Sequence, residues 1–553
     1  MTLGDEFDWI VVGGGSAGCA LAGRLSEDAA LEVALVEAGP AAEEPIFKVP
    51  GLFWQQQKSS FDWDLLTEPE RGLADRRAYL PRGRSLGGSS SMNTMLYVRG
   101  AASDYDDWAA AGCEGWSYAD VLPHFRRSED NSRGASELHG VGGPLSVIDV
   151  PDVPSLLRHW VVAAEEDGHP AAADFNVPAP EGVGLYQATQ RDGERCSSAA
   201  AFVEPNRGRP NLTVLTSTQA LRIVWEGSRA AGVEVESSGE RRVLRAGREL
   251  AICAGAYLTP QLLMLSGVGP ADHLLEMGIE VRVDNPEVGA NLQDHPGCFM
   301  TYPARIGREV EEGSWIEAGG FARSDPGLPR PDLQFHAVVG SFGDDGVPNT
   351  EMKAISFGPY VCRPASRGTV RLRSALPQAK PRIRHNYLTD PEDVAVLREG
   401  VRMAMRIARR PSLAGLLRPE SDSVGAGLIP ASDRDADVDA YIRATAFSFY
   451  HPVGTCAIGA VVDPRLSVLG VEGLRVCDVS VMPRLIGGNT NAPAIMIGEK
   501  LAAQTAAGRR PASAATPTTL DSLHFLQPTG PLSGRGKENP TNGQDQIRCR
   551  GQR

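Results

Sequence analysis

The chain opens with an apolar run closed by glycines, "FDWIVVGGG", and passes directly into "SAGCALAGRLSE", where Ala and Leu recur at helical spacing. The first pattern predicts a buried strand and the second a helix packed on a sheet. A second short apolar run, "EVALVEAG", follows and completes a β-α-β unit. Around residues 151–191, and again from about 309 to 447, the pattern changes to strands, long loops and helical stretches such as "DPEDVAVLREGVRMAMRIARR". These segments read as a second domain inserted into the first. From about Gly508 the chain turns rich in Pro, Gly, Ser and Thr with few large apolar residues, too few to offset the entropy of ordering, so residues 508–553 are expected to be a disordered tail.

Length and composition narrow the class. At 553 residues the chain exceeds one ordinary core, and two closely associated domains able to enclose a large cofactor are expected. A 42% apolar and 22% charged composition is that of a globular protein. The net charge of -14 argues against nucleic acid or an anionic membrane surface as a standing partner, since both demand a basic face. The nine cysteines are scattered without a C-x-x-C pair, which suggests neither a zinc site nor a disulfide framework, and no metal is expected. Acidic residues stand near the N-terminus where a secretory leader would be basic, and the longest apolar stretch is broken by Thr259, Pro260 and Gln261. The expectation is a cytoplasmic protein without a transmembrane segment.

The glycine cluster Gly13-Gly14-Gly15-Ser16-Ala17-Gly18 sits where a dinucleotide fingerprint belongs. Gly13 permits the strand-to-helix turn, Gly15 lets the backbone approach a pyrophosphate, and Gly18 allows close helix-strand packing. Glu37, ending the second strand, is placed to accept hydrogen bonds from an unphosphorylated ribose, as in FAD or NAD. The motif alone does not separate the two.

Further along stand "GRSLGGSSSMNTMLYVRGAASDYD" (83–106), "GAYLTPQLLMLSGVG" (255–269), "VGANLQDHP" (288–296), "YHPVGTCAIG" and "VCDVSVMPRLIGGNTNAPAIMIGEKLA". In this order they resemble the glucose-methanol-choline (GMC) oxidoreductases, FAD-dependent alcohol oxidases and dehydrogenases, with most similarity to the choline-dehydrogenase-like branch. The resemblance covers about residues 7–507. It implies an α/β fold of the GMC/p-hydroxybenzoate-hydroxylase type: a Rossmann-like FAD-binding domain with an inserted α+β substrate domain. The expected layout is 5–308 mainly FAD-binding, with 151–191 contributing to the substrate domain, 309–447 as substrate domain, and 448–507 returning with the catalytic residues.

The resemblance further implies that His451 lies over the flavin ring with Asn491 beside it as the catalytic pair. His451 would take the hydroxyl proton of a small, primary alcohol while a hydride passes to flavin N5, and Asn491 would steady the alkoxide. Gly88 and Asn93 fall in the loop along the flavin, Ala220 at the adenine, and Asp478 and Val479 at the pyrophosphate and ribityl chain. Met92 stands where covalent members carry a flavin-linking histidine, so non-covalent FAD is expected. His295, in "LQDHP", reads as structural, and Glu499 and Lys500 as solvated or locally paired. The electron acceptor is left open between oxygen and a quinone-like molecule. A non-redox lyase on the same fold, or a flavoprotein scaffold without turnover, remains as an alternative.

Overall fold

The computed structural model describes residues 5–305, 316–342, 348–349 and 352–507. The expected tail, 508–553, lies outside the described residues, as do the boundary at residue 309 and part of the loop 338–353.

The opening apolar run forms the strand Glu6–Val12, flanked by Val33–Val36 and Glu240–Ile252 in parallel. Leu212–Leu215 adds to one side and Leu474–Val476 to the other, both also parallel, and the antiparallel strands Arg229–Ser237 and Gln219–Glu226 extend the sheet to seven. Register decides where the site falls. Val12 pairs with both Val36 and Ile252, and Ile252 pairs with Val476, so four parallel strands end at one level. Gly13, Glu37 and Cys253, next after three of those ends, and Asp478, two residues past the fourth, emerge together at the carboxyl edge of the sheet, the usual ligand-binding edge of an open α/β fold.

The helix Ser16–Leu25 follows the glycines as expected, buried on nearly every side. It packs against the last helix, Asn491–Ala507, so closely that a Cβ on Gly498 would come 2.4 Å from the Ala17 carbonyl oxygen. Glu499 and Lys500, expected to be solvated or to pair locally, are buried instead. The Glu499 carboxylate accepts from Arg24 Nε at 2.9 and 3.0 Å, which ties the last helix to the first, and the Lys500 ammonium lies 5.0 Å from the Trp116 ring. A charge facing a neighbouring helix is buried only when paired, and a one-dimensional pattern does not carry the partner.

A second seven-stranded sheet is antiparallel throughout: Phe447–Ser448, Pro296–Gly297, Ala354–Val361, Leu333–Val339, Ala318–Ala322 and Gly182–Leu185 in order, with Met300–Pro303 also on Ala354–Val361. Residues 296–303, ahead of the expected boundary, therefore belong to this sheet. Along Leu333–Val339 the side chains alternate: Leu333, Phe335 and Ala337 join an apolar cluster with the helices Ser155–Glu166 and Pro391–Ala408, while Gln334 and His336 point the other way. Pro391–Ala408 buries Val394, Leu397, Val401, Ala404, Met405 and Ala408, the spacing of a helix with one apolar face. Among the described residues eight cysteines are free and buried, and no helix is long and apolar enough to cross a membrane.

Candidate active site

One cavity gathers the sequence-predicted residues. Gly13, Gly15, Ser16, Ala17, Glu37, Gly88, Asn93, Ala220, Asp478, Val479, His451 and Asn491 all line it; Gly18 does not. Gly18 works behind the wall, where a Cβ would lie 1.9 Å from the Gly13 carbonyl oxygen. Gly13 has φ of +106° and leaves only 2.4 Å between an added Cβ and the Cys253 carbonyl oxygen, so both conformation and space demand glycine.

Gly15 differs. A Cβ there would meet no protein atom nearer than 4.0 Å, so protein packing does not require the glycine, and the space it leaves belongs to the cavity. A bare backbone at the start of a helix, with amide dipoles aimed outward, suits a pyrophosphate. Glu37 accepts from the amides of Gly14 (2.9 Å) and Gly39 (2.8 Å), one on each carboxylate oxygen. Burial pushes its carboxyl up to about 7, opposed by those amides and by Arg84. Each oxygen retains a lone pair for a ribose hydroxyl. Asp478 is committed to the protein: its carboxylate accepts from Gly255 N (2.9 Å), Thr259 Oγ1 (2.6 Å) and Ser480 N (2.8 Å), fixing the start of the helix Gly255–Leu265 against the cavity. Asn93 Oδ1 accepts from Met95 N and from Arg195 Nη1, holding the loop that carries Met92 and Asn93 along the wall. The residues present therefore fit a dinucleotide, which Gly15 would hold by its pyrophosphate and Glu37 by a ribose.

At the other end His451 projects from a turn after the strand Phe447–Ser448. The turn is made by Tyr450 at φ +68°, a left-handed conformation that costs a non-glycine residue about 1 kcal/mol or more. Ser448 Oγ accepts from the Tyr450 amide at 2.8 Å and Arg82 Nη2 donates to its carbonyl at 2.9 Å. Burial, with His295, His336 and Arg82 nearby, holds His451 well below its ordinary pKa, so the ring is neutral at pH 7.

The side chain against His451 Nε2 is Asn489 Nδ2, at 3.2 Å. Asn491, the expected partner, is not there: its Oδ1 accepts from Ser16 Oγ at 2.7 Å, so it belongs to the glycine loop end. The helix begins at Asn491, which anchors that residue toward the first helix and leaves Asn489 in the preceding loop, free to reach the imidazole. Pro493, best tolerated in a helix's first turn, was the available sign that the helix starts there.

Gln334, not singled out from sequence, sets the amide. Tyr360 Oη donates to Gln334 Oε1, and Gln334 Nε2 donates to Asn489 Oδ1 at 2.9 Å, which turns the Asn489 NH₂ toward His451. His336 Nδ1 lies 2.6 Å from Glu317 Oε2, and both line the cavity beside Phe299, Phe342, Phe447 and Phe449. The His295 ring, read as structural, lies directly behind His451, with Nδ1 to Nδ1 at 2.9 Å.

Family models described as GMC oxidoreductase match residues 7–297 and 364–498. The chain is 43% identical over 529 residues to an uncharacterized GMC-type oxidoreductase of Mycobacterium tuberculosis, covering 90% of this chain and 98% of that one. It is 39% identical over 536 residues to an oxygen-dependent choline dehydrogenase of Rhizobium etli, covering 92% and 96%. Among solved structures, pyridoxine 4-oxidase from Mesorbium loti superposes with a TM-score of 0.83 at 32% identity, covering 90% of this chain and 99% of that one. An Aspergillus oryzae formate oxidase, studied for modification of its FAD, superposes with 0.84 at 27%, covering 92% and 99%. The chain belongs to the GMC oxidoreductase family, acts as an oxidoreductase on CH–OH donors, and uses FAD as its cofactor.

Proposed function

We propose that the protein oxidises a small primary alcohol to the aldehyde, with His451 as general base and Asn489 as the donor that steadies the alkoxide. The observation that carries the reading is a buried imidazole 3.2 Å from an oriented amide, in the cavity that holds the glycine loop. A hydroxyl between the two side chains donates to His451 Nε2 and accepts from Asn489 Nδ2. As the O–H proton moves to Nε2, charge grows on the oxygen, and the amide stabilises it without titrating. The aromatic wall of Phe299, Phe342, Phe447 and Phe449 keeps water from the alkoxide, which strengthens both interactions. Bound FAD supplies the two-electron acceptor for the hydride leaving the carbon. Relatives named for choline and for pyridoxine support an alcohol as substrate class.

In this reading the parallel sheet carries FAD and the antiparallel sheet, with 151–191 and 309–447, walls the substrate, while 448–507 returns His451 and Asn489 to the first. Met92 lines the cavity, and a thioether offers no nitrogen for a flavin link, so FAD is held without a covalent bond. The test is to add alcohols of graded length and charge to the purified protein without oxygen. A good substrate bleaches the flavin, and acid precipitation leaves the FAD in solution. A flavin that no alcohol bleaches contradicts the oxidation and favours a lyase.

A further inference from the structure

We propose that His295 is a positioning residue that sets the tautomer of His451, accepting the His451 Nδ1–H so that Nε2 is left as the proton-accepting nitrogen. The inference rests on the reading of His451 as the base and adds what aims it.

The assignment follows from the partners. His295 Nε2 lies 3.0 Å from two carbonyl oxygens, those of Cys362 and Ile486. Carbonyl oxygens only accept, so Nε2 must carry a hydrogen. The ring is fully buried, and burial pushes its pKa down to about 3, so at neutral pH it holds a single N–H. That hydrogen is spent on the carbonyls, and Nδ1 has a lone pair. Nδ1 faces His451 Nδ1 at 2.9 Å, a separation that needs one hydrogen between the nitrogens. His451 supplies it. Its Nε2 is then the unprotonated nitrogen, the one on the Asn489 side.

Neither ring is free to turn. His295 stacks on Tyr360 with centroids 4.5 Å apart and planes at 18°, and meets His451 edge-on at 5.1 Å and 80°. Asp294 Oδ1 accepts from the backbone amides of both histidines at 2.8 Å, and the carboxylate also takes the hydroxyls of Tyr387 and Ser448. Strand pairing imposes this meeting: Pro296 pairs with Ser448 and Gly297 with Phe447, and the Phe449 amide donates to the His295 carbonyl.

The choice of acceptor has a consequence. A carboxylate behind a catalytic imidazole stabilises the imidazolium, whereas His295 is neutral and offers a lone pair without a charge. His451 is thus oriented without being made a stronger base, and the proton it takes is not trapped. The charged or titratable groups near the pair are Arg82, Arg363 and His336, the last paired with Glu317, with Asp294 at the backbone, and none but the two rings touches the shared hydrogen bond.

Two substitutions and one spectrum test this. His295→Leu removes the acceptor at similar size, and flavin reduction should slow by roughly 10²-fold or more, as for other misdirected general bases. His295→Asn places an amide oxygen near the Nδ1 position and should recover to within about 10-fold of wild type. Histidine-selective ¹⁵N spectra of the wild-type holoenzyme, with the His451 signals identified by their loss in His451→Gln, should show Nδ1–H and a bare Nε2. Equal rates for Leu and Asn in variants that keep FAD and melting temperature, or an Nε2–H tautomer at His451, would overturn the proposal. If both variants lose FAD, the wild-type spectrum decides alone. His451→Ala reducing flavin as fast as wild type would instead sink the base itself, whatever the tautomer.

Discussion

The two ends of the cavity are built by different means. The glycine end is made of backbone at the level ends of parallel strands, and its essential residues sit within a few positions of each other: Gly13, Gly15 and Ser16, with Glu37 on the next strand. The His451 end is made of side chains that orient one another, drawn from residues 295, 334, 451 and 489 across both sheets and their loops. On this account the first end should tolerate no added atoms. The second should tolerate no lost hydrogen bonds.

If that contrast holds, the largest effect comes from filling the glycine end. Gly15→Val puts atoms where only cavity lies, so FAD content should collapse while the apoprotein melts near its usual temperature. Gly13→Ala meets the Cys253 carbonyl at 2.4 Å from a positive φ, and should lower the melting temperature as well as FAD content. Absorbance of bound flavin and thermal melting of the apoproteins separate the two. Gly15→Val retaining a full complement of FAD would break the contrast.

At the other end loss of chemistry should come without loss of cofactor. His451→Ala is expected to slow flavin reduction by roughly 10²- to 10⁴-fold, the usual contribution of a general base, or about 3 to 5 kcal/mol, with the yellow colour intact. Stopped-flow reduction by a good substrate reads the rate, and parallel loss of FAD would show the two ends to be one.

A smaller effect sharpens the electrostatics. The reaction needs neutral His451, and folding lowers its pKa from the ordinary 6.5, so the acid limb of flavin reduction should lie below pH 6.5. The sign is fixed chiefly by burial, and the Arg82 guanidinium adds to it, both disfavouring the imidazolium. Rates should fall less between pH 7 and pH 6 than they would for an imidazole of ordinary pKa. A midpoint at or above 6.5 would mean a ring stabilised in its charged form.

The same contrast explains what the sequence disclosed. The β-α-β unit, the glycine positions and Glu37 were legible because a backbone turn is a local event with a local residue requirement. His451 stood out through its motif and lines the cavity as expected. Asn491 is readily mistaken for Asn489 in "GGNTNAPA", since which one reaches the imidazole depends on where the helix starts, marked locally by Pro493 alone, and on Gln334, 155 positions from Asn489. His295 looked structural because its partner lies 156 positions on and is delivered by strand pairing. Glu499 looked solvated for the same reason, with Arg24 475 residues distant.

The most direct measurement sets Asn489→Ala beside Asn491→Ala and compares anaerobic flavin reduction at saturating substrate. Loss of a donor at the developing alkoxide costs about 10²-fold or more, so Asn489→Ala should be slow with FAD in place. Asn491→Ala breaks only the bond from Ser16, worth about 1 kcal/mol, and should reduce flavin near the wild-type rate with somewhat weaker FAD binding. A slow Asn491→Ala beside an unimpaired Asn489→Ala would contradict the site described here and return the catalytic role to the first turn of the last helix.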